Sequence, residues 1–327
     1  MEMKKNIALI GVGDWGTNHL KNLLKLGVLH SVLDINSENI RQRNKDFPGV
    51  HYVMDEEAVL NNPEVRAVVI AAPAKLHYRL TRKYLEAGKD VLVEKPLALT
   101  VDEGSELVDT AKRVNRILMV GHILQYHPAV IKLKTLIDSG ELGNIRYIYS
   151  NRLNIGKLRR EENVLWSFAP HDISLILMLL NGREPVHVDA HGGAYVNPGI
   201  YDTTLTTLEF ENGIKSHIFV NWLHPYKEQK LVVIGEDQMA VFDDVSADND
   251  KKLSIYPHKI DTQGHIPVAR KAESYPVPFE MKEPLKEELL HFIDCIETRK
   301  TPKTNGEEGL KVLKVLERAE QQLGRRS

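Results

Sequence analysis

The chain has 327 residues, 42% hydrophobic and 27% charged, which suits a globular protein of about two domains. A formal net charge of −2 leaves no basic footprint for nucleic acid, and a lone cysteine, Cys295, permits no intrachain disulfide, so a cytoplasmic setting is expected. The opening MEMKKNIALIGVGDWG meets glycines and Asp14 after a short apolar run, so neither a signal peptide nor a membrane span is expected.

The elements then follow in chain order. Asn6–Ile10 predicts a buried strand, Asp14–Leu26 a helix, Val28–Leu33 a second strand, and Ser37–Asp46 a helix with Ser37 as its N-cap. Ala67–Pro73 predicts a third long strand, His77–Lys89 a helix closed by Gly88, and Asp90–Pro96 a further strand. Val101–Asn115 and Ile117–His122 supply another helix and strand. Strands alternating with helices, and apolar without polar alternation, predict an α/β Rossmann domain with a doubly wound parallel sheet over residues 1–122. The pattern changes over residues 123–327. Here come a helix at Ala129–Ser139, an alternating tyrosine run at Asn144–Asn154 and a buried helix within Asn163–Leu180. A hairpin is signalled by the Glu-Asn-Gly turn inside Thr203–Leu223, and further alternation runs over Lys230–Asp244. The polar, proline-bearing stretch Val245–Glu283 predicts strands and loops, and Leu285–Arg299 and Glu307–Leu323 predict closing helices that could pack back on the first domain. This half is expected to be an α+β domain with an open, mostly antiparallel sheet.

The glycines of LIGVGDWG carry the first chemical signal. Gly11 permits the tight turn, Gly13 lets backbone approach a pyrophosphate, and Gly16 lets the following helix pack closely, while the amides of Asp14 and Trp15 open that helix. Asp34 closes the second strand 23 positions beyond Gly11, where its carboxylate can accept bonds from ribose hydroxyls and repel a 2′-phosphate. NAD is therefore the expected cofactor. The second signal is Val-Glu-Lys-Pro at Val93–Pro96, which sets Lys95 at the carboxyl edge of a strand, where open α/β sheets bind ligands.

Gly-Val-Gly-Asp-Trp-Gly, the Glu94-Lys95-Pro96 turn, Gly121-His122 and Ala169-Pro170-His171-Asp172-Ile173 together resemble the glucose–fructose oxidoreductase/inositol dehydrogenase (Gfo/Idh/MocA) family over nearly the whole chain. Within it, Gly121–Ala129 and Arg152–Trp166 look most like nucleotide-sugar 3-dehydrogenases acting on UDP-N-acetylglucosamine or its uronic acid. The resemblance implies that Glu94, Lys95, Pro73 and His77 lie at the nicotinamide half of the cofactor. It implies that Lys95 touches both ribose and the reacting hydroxyl, that His171 faces the same hydroxyl, and that the outer face of the second sheet makes an oligomer, a dimer or tetramer. Two departures stand out: Ser167 takes the place of an Asp that many members carry, and Ile123–Gln125 that of an Asn-Arg-Arg or Asn-Arg-Lys run.

In this reading His171 is the general base and Lys95 the donor to a developing alkoxide. Lys157, Arg159 and Arg160 could grip the diphosphate of a UDP-sugar, although Glu161 and Glu162 follow them at once. Asp172 is expected to cap the start of its helix. Trp15 could flank the cofactor or pack the first helix, and Asn221, Trp222 and His224 could line a pocket or simply pack. His122 and His127 lack a metal motif around them, so no metal is expected. The expected function is oxidation of a secondary ring hydroxyl, at C3, of a sugar or UDP-sugar. An inositol or free-sugar dehydrogenase, an NAD-retaining glycoside hydrolase and a non-catalytic NAD sensor stand as alternatives.

Overall fold

The computed structural model describes residues 4–156, 158–160, 162–261 and 266–324. The chain forms two compact units, Met1–Ile123 with Glu283–Leu313, and Leu124–Lys282 with Lys314–Ser327.

In the first unit, strands β1 (Ile7–Ile10), β2 (Leu29–Leu33), β3 (Tyr52–Val53), β4 (Ala67–Ile70), β5 (Asp90–Glu94) and β6 (Leu118–Gly121) form one sheet in the order β3-β2-β1-β4-β5-β6. Every pairing in it is parallel. Helices α1 (Asp14–Lys25), α2 (Ser37–Asp46), α3 (Glu57–Leu60), α4 (His77–Glu86) and α5 (Val101–Arg113) connect the strands. All residues of β1, β4, β5 and β6 are buried, which is why these strands read as unbroken apolar runs. The third long strand is shorter than its apolar run suggested: β4 ends at Ile70, and Ala71–Pro73 turn across the sheet edge. Asn36, not Ser37, caps α2, since its side chain accepts from the Glu38 amide.

In the second unit, α6 (Pro128–Asp138), β7 (Ile145–Leu153), α7 (Val164–Leu179), β8 (His187–Gly193), β9 (Thr203–Glu209), β10 (Lys215–Asn221), β11 (Glu228–Gly235), β12 (Gln238–Asp243), β13 (Leu253–Asp261), β14 (Val268–Lys271) and β15 (Tyr275–Pro276) follow in turn. Nine strands make one sheet, β14-β13-β12-β11-β7-β10-β9-β8 with β15 beside β13. Among the described residues of this sheet only β7 and β10 pair in parallel; the rest are antiparallel. The Glu-Asn-Gly turn joins β9 to β10, with Gly213 at φ +79°, a conformation that side chains disfavour. Along β9 and β10 buried and less buried residues alternate, so the sheet has one packed and one open face. α7 lies on the packed face, and thirteen of its sixteen residues are buried; His171 is one of the three that are not.

The chain then returns with α8 (Pro284–Thr298) and α9 (Gly306–Gly324). α8 packs on α1, and the segment before α9 joins β6 through the Val120 amide and the Thr304 carbonyl at 2.8 Å. The first unit is thus completed by residues nearly two hundred positions further along the chain. Among the described residues, no helix is long and apolar enough to cross a membrane.

Candidate active site

The glycine turn follows β1 directly. Gly11 sits at φ +90°, and a Cβ there would lie 2.8 Å from the Ala71 carbonyl oxygen. At Gly16 a Cβ would come within 2.2 Å of the Gly11 carbonyl oxygen, so α1 can pack on this turn only without a side chain. Gly13 differs, because a Cβ there would meet nothing within 4 Å. Gly13 is the N-cap of α1, and no side chain caps the first amides of the helix, those of Asp14 and Trp15 among them. Uncapped amides at a helix start form a site for an anion such as a pyrophosphate.

Asp34 ends up beneath the same turn. Its Oδ2 accepts from the Val12 amide at 2.9 Å and from Asn39 Nδ2 at 3.1 Å, and its Oδ1 accepts from the Asn36 amide at 2.8 Å. A carboxylate has about four acceptor positions, so one remains for a ribose hydroxyl. Asp34 therefore braces the turn, with one acceptor position to spare. Ile35, 78% exposed, offers apolar surface beside it.

At the end of β5 the Glu94 carboxylate is held from two sides by α1. Its Oε1 accepts from Trp15 Nε1 at 2.5 Å and lies 2.7 Å from Nε2 of the fully buried His19. Its Oε2 accepts from the Lys95 amide at 3.3 Å. Burial alone would raise the Glu94 carboxyl, but the His19 hydrogen bond and charge, the Trp15 N–H and the Lys95 ammonium together hold it below the usual range. Gly121 on β6 leaves room for this carboxylate, since a Cβ there would lie 3.0 Å from it. Lys95, half-buried, starts the turn through a cis bond to Pro96. His19 was not anticipated. Its signal was available, because Trp15 and His19 stand four apart on one face of a helix.

His77 opens α4. The ring is buried, with Nδ1 2.6 Å from the Pro96 carbonyl oxygen and Nε2 2.8 Å from that of Ala72. Both nitrogens are engaged by backbone, so His77 braces the turn after Lys95 against the turn after β4. Burial pushes its pKa below the ordinary histidine value, against the pull of those two carbonyls. Pro73 is exposed on that second turn, just before His77.

In the second unit, His171 is half-buried two turns into α7. Asp172 does not cap the helix start. α7 begins at Val164 with Asn163 as its cap, so Asp172 lies mid-helix and turns inward. Its Oδ1 accepts from Ser150 Oγ at 2.5 Å and Arg152 Nη2 at 3.1 Å, and its Oδ2 from Arg152 Nε at 2.8 Å. Both partners are on β7, so this buried clamp sets the rotation of α7 and with it the direction of His171. Ser167 is buried one turn before His171. Of the three cations expected to grip a diphosphate, Arg160 is exposed, Arg159 forms an ion pair with Glu162, and Lys157 lies outside the described residues. Asn221 spans Thr203 and the Leu223 amide, and Trp222 is buried, so both serve the sheet; His224 Nδ1 faces the Tyr226 carbonyl. His122 pairs with Glu308, and His127 caps α6. Among the described residues, no three His, Cys, Asp or Glu side chains could hold a metal ion.

A parallel sheet with a bare, glycine-lined helix start at its carboxyl edge, an acid ending the second strand and a lysine ending the fifth define an NAD-binding oxidoreductase. The family comparison agrees: residues 5–122 match the oxidoreductase family, NAD-binding Rossmann fold, and residues 130–241 match the GFO/IDH/MocA C-terminal domain. The chain belongs to the GFO/IDH/MocA oxidoreductase family. It is 28% identical over 311 residues to the UDP-N-acetylglucosamine 3-dehydrogenase of Acidithiobacillus ferrooxidans, covering 93% of each chain. It is 26% identical over 323 residues to the NAD(+)-dependent scyllo-inositol 2-dehydrogenase of Bacillus subtilis, covering 92% of this chain and 89% of that one. The solved structure of the Acidithiobacillus enzyme, GnnA, aligns with a TM-score of 0.84 at 25% identity over 98% of both chains.

Proposed function

We propose that the protein is an NAD-dependent dehydrogenase that oxidises a secondary ring hydroxyl, at C3, of a UDP-sugar. The observation that carries this reading is the presentation of Lys95: a lysine beside a restrained carboxylate, at the strand edge that also holds the glycine turn. NAD, when bound, supplies the hydride acceptor. The α1 amides and Gly13 would hold its diphosphate, and Asp34 an adenosine ribose hydroxyl. The chain's own work is to position the substrate carbon and manage one proton. Lys95 Nζ donates a hydrogen bond to the hydroxyl oxygen as negative charge develops there. His171 takes the hydroxyl proton, and the Asp172–Arg152 clamp fixes the direction of its ring. Arg160, with Arg159 once released from Glu162, meets the diphosphate of the substrate. A second copy of the chain covers the open sheet face, where Tyr149 stacks on His217 with centroids 5.1 Å apart.

The choice of a UDP-sugar over an inositol rests on the cationic stretch before α7 and on the likeness to the Acidithiobacillus enzyme over 93% of both chains. The inositol reading comes second because the Bacillus relative is almost as similar. The test is absorbance of NADH with UDP-N-acetylglucosamine, scyllo-inositol, myo-inositol and glucose in turn. NADH formation with UDP-N-acetylglucosamine is the expected result. Formation with an inositol alone overturns the substrate assignment, and silence with all four overturns the dehydrogenase reading.

A further inference from the structure

α8 carries a carboxyl group that the chemistry above does not use. Glu288 is 0% exposed, and neither of its carboxyl oxygens has a hydrogen-bond partner among the described residues. The charged group beside it is Glu94, the carboxylate that precedes Lys95. α8 packs on α1, the helix whose Trp15 and His19 hold Glu94 of β5. The second ring nitrogen of His19, Nδ1, is also buried and without a hydrogen-bond partner.

Two carboxyl groups in one dry site do not share charge evenly. An ionised carboxylate without hydrogen bonds is far costlier to bury than the neutral acid, and a like charge nearby adds repulsion. Glu94 has three partners, the Trp15 and His19 side chains and the Lys95 amide, and a neighbouring ammonium; Glu288 has none of these. The charge therefore sits on Glu94 and the proton on Glu288. The directions of the shifts agree: burial, then Glu94, hold the Glu288 carboxyl well above the usual range, while Glu94 lies below it.

We propose that Glu288 is a positioning residue for Lys95, acting through Glu94 as an uncharged acid that leaves a single carboxylate behind the lysine. The inference rests on the role given to Lys95 above. The titratable groups facing Glu288 are Glu94 on β5 and, through Glu94, His19 on α1 and Lys95 at the end of β5. As pH rises, Glu288 releases its proton to solvent and a second negative charge appears beside Glu94. Repulsion then works against the Trp15 and His19 contacts that hold Glu94, and Lys95 loses its alignment.

The test compares the full-length wild-type protein with Glu288→Gln and Glu288→Asp. Infrared spectroscopy should show the carbonyl stretch of a protonated carboxylic acid in the wild type and in Glu288→Asp, persisting above the pH at which ordinary carboxyls ionise, and absent from Glu288→Gln. NADH titration by fluorescence should show about tenfold weaker binding in the wild type once that band disappears at alkaline pH, the loss expected when the Trp15–Glu94 hydrogen bond that ties the glycine turn to β5 gives way. Glu288→Asp should show the same loss, and Glu288→Gln should not. Superposable NADH profiles for wild type and Glu288→Gln, or an infrared band unaffected by that substitution, would overturn the proposal. Both readouts need no sugar, so failure to turn over UDP-N-acetylglucosamine would count against the substrate reading and leave this result standing on its own.

Discussion

The indole N–H of Trp15 donates to Glu94 Oε1 at 2.5 Å, tying the start of α1 to the end of β5 across 79 positions of sequence. One group belongs to the glycine turn, and the other to the turn that carries Lys95. The bond is worth about 1.5–3 kcal/mol if it behaves like other hydrogen bonds to a charged group, with the lower end fitting a half-exposed indole. Trp15→Phe keeps the ring and removes only the donor. We expect urea denaturation to show a loss of about 1–2 kcal/mol, together with a lower turnover number. Wild-type stability and turnover in this variant would mean that the contact does not couple the two loops.

Gly16 makes a sharper test of the glycine turn, because a Cβ there would overlap the Gly11 carbonyl oxygen, which is backbone and has no freedom to move aside. Gly16→Ala should destabilise by about 1–3 kcal/mol, as overpacking does, and abolish NADH binding measured by fluorescence. Gly13→Ala has open space for its methyl group and should fold as well as wild type, yet bind NADH more weakly, since that methyl occupies the ground a pyrophosphate needs. Equal stability of the two variants would contradict the packing argument.

Much of this arrangement was legible in the sequence because a parallel sheet buried on both faces must be written as apolar runs, and because Gly11 and Gly16 each answer a separate steric demand. The hairpin at Glu211–Gly213 was legible for a similar reason. The role of Asp172 was not. An acid next to an expected helix start reads as a dipole partner, whereas α7 begins eight residues earlier and Arg152 lies on a strand that pairs with it only in the fold. The two carbonyl partners of His77 were not legible, because a histidine after a strand edge looks available to a ligand. Glu288 was invisible, since a glutamate in Lys-Glu-Glu-Leu-Leu has the look of a solvated helix face. Its burial follows from α8 packing on α1, a contact across more than 250 residues.

The Arg152–Asp172 pair predicts a separation of stability from chemistry. Removing one partner of a buried ion pair leaves the other charge unpaired and costs about 3–5 kcal/mol. Asp172→Ala should therefore destabilise the protein strongly by thermal or urea denaturation. Replacing both partners at once, as Arg152→Met with Asp172→Leu, should recover much of that loss. If the pair also orients His171, the double variant will be stable yet slow in turnover. A stable double variant with full activity would limit the pair to holding the helix.

Lys95 and His171 are carried by different units, and each should fail in its own way. Lys95→Ala should lower turnover at every pH, because a donor to the developing oxyanion is lost. His171→Ala should cost about 10²–10⁴-fold in rate near neutral pH, and a small exogenous base such as imidazole should restore part of it. Both variants should retain NADH binding within a few-fold, read by fluorescence. Wild-type turnover in either would remove that residue from the mechanism.

Glu288 also makes stability depend on pH with a definite sign. Its carboxyl is held well above the usual range in the folded protein and ionises near 4.3, the ordinary glutamate value, in the unfolded chain. Between those two points the folded state keeps a proton that the unfolded state has lost. Folding is then favoured by low pH: the contribution is fully present below the unfolded value and is lost as pH rises through the folded one. Other carboxylates that are paired in the fold, Glu94 among them, act in the opposite sense at acid pH, so the difference between variants is the informative quantity. The stability gained by Glu288→Gln over wild type should be smallest in acid, grow with pH, and level off once folded Glu288 ionises. Urea denaturation of both proteins across that range measures it directly. A constant difference would mean that Glu288 titrates alike in the folded and unfolded chains, which its complete burial beside Glu94 does not allow.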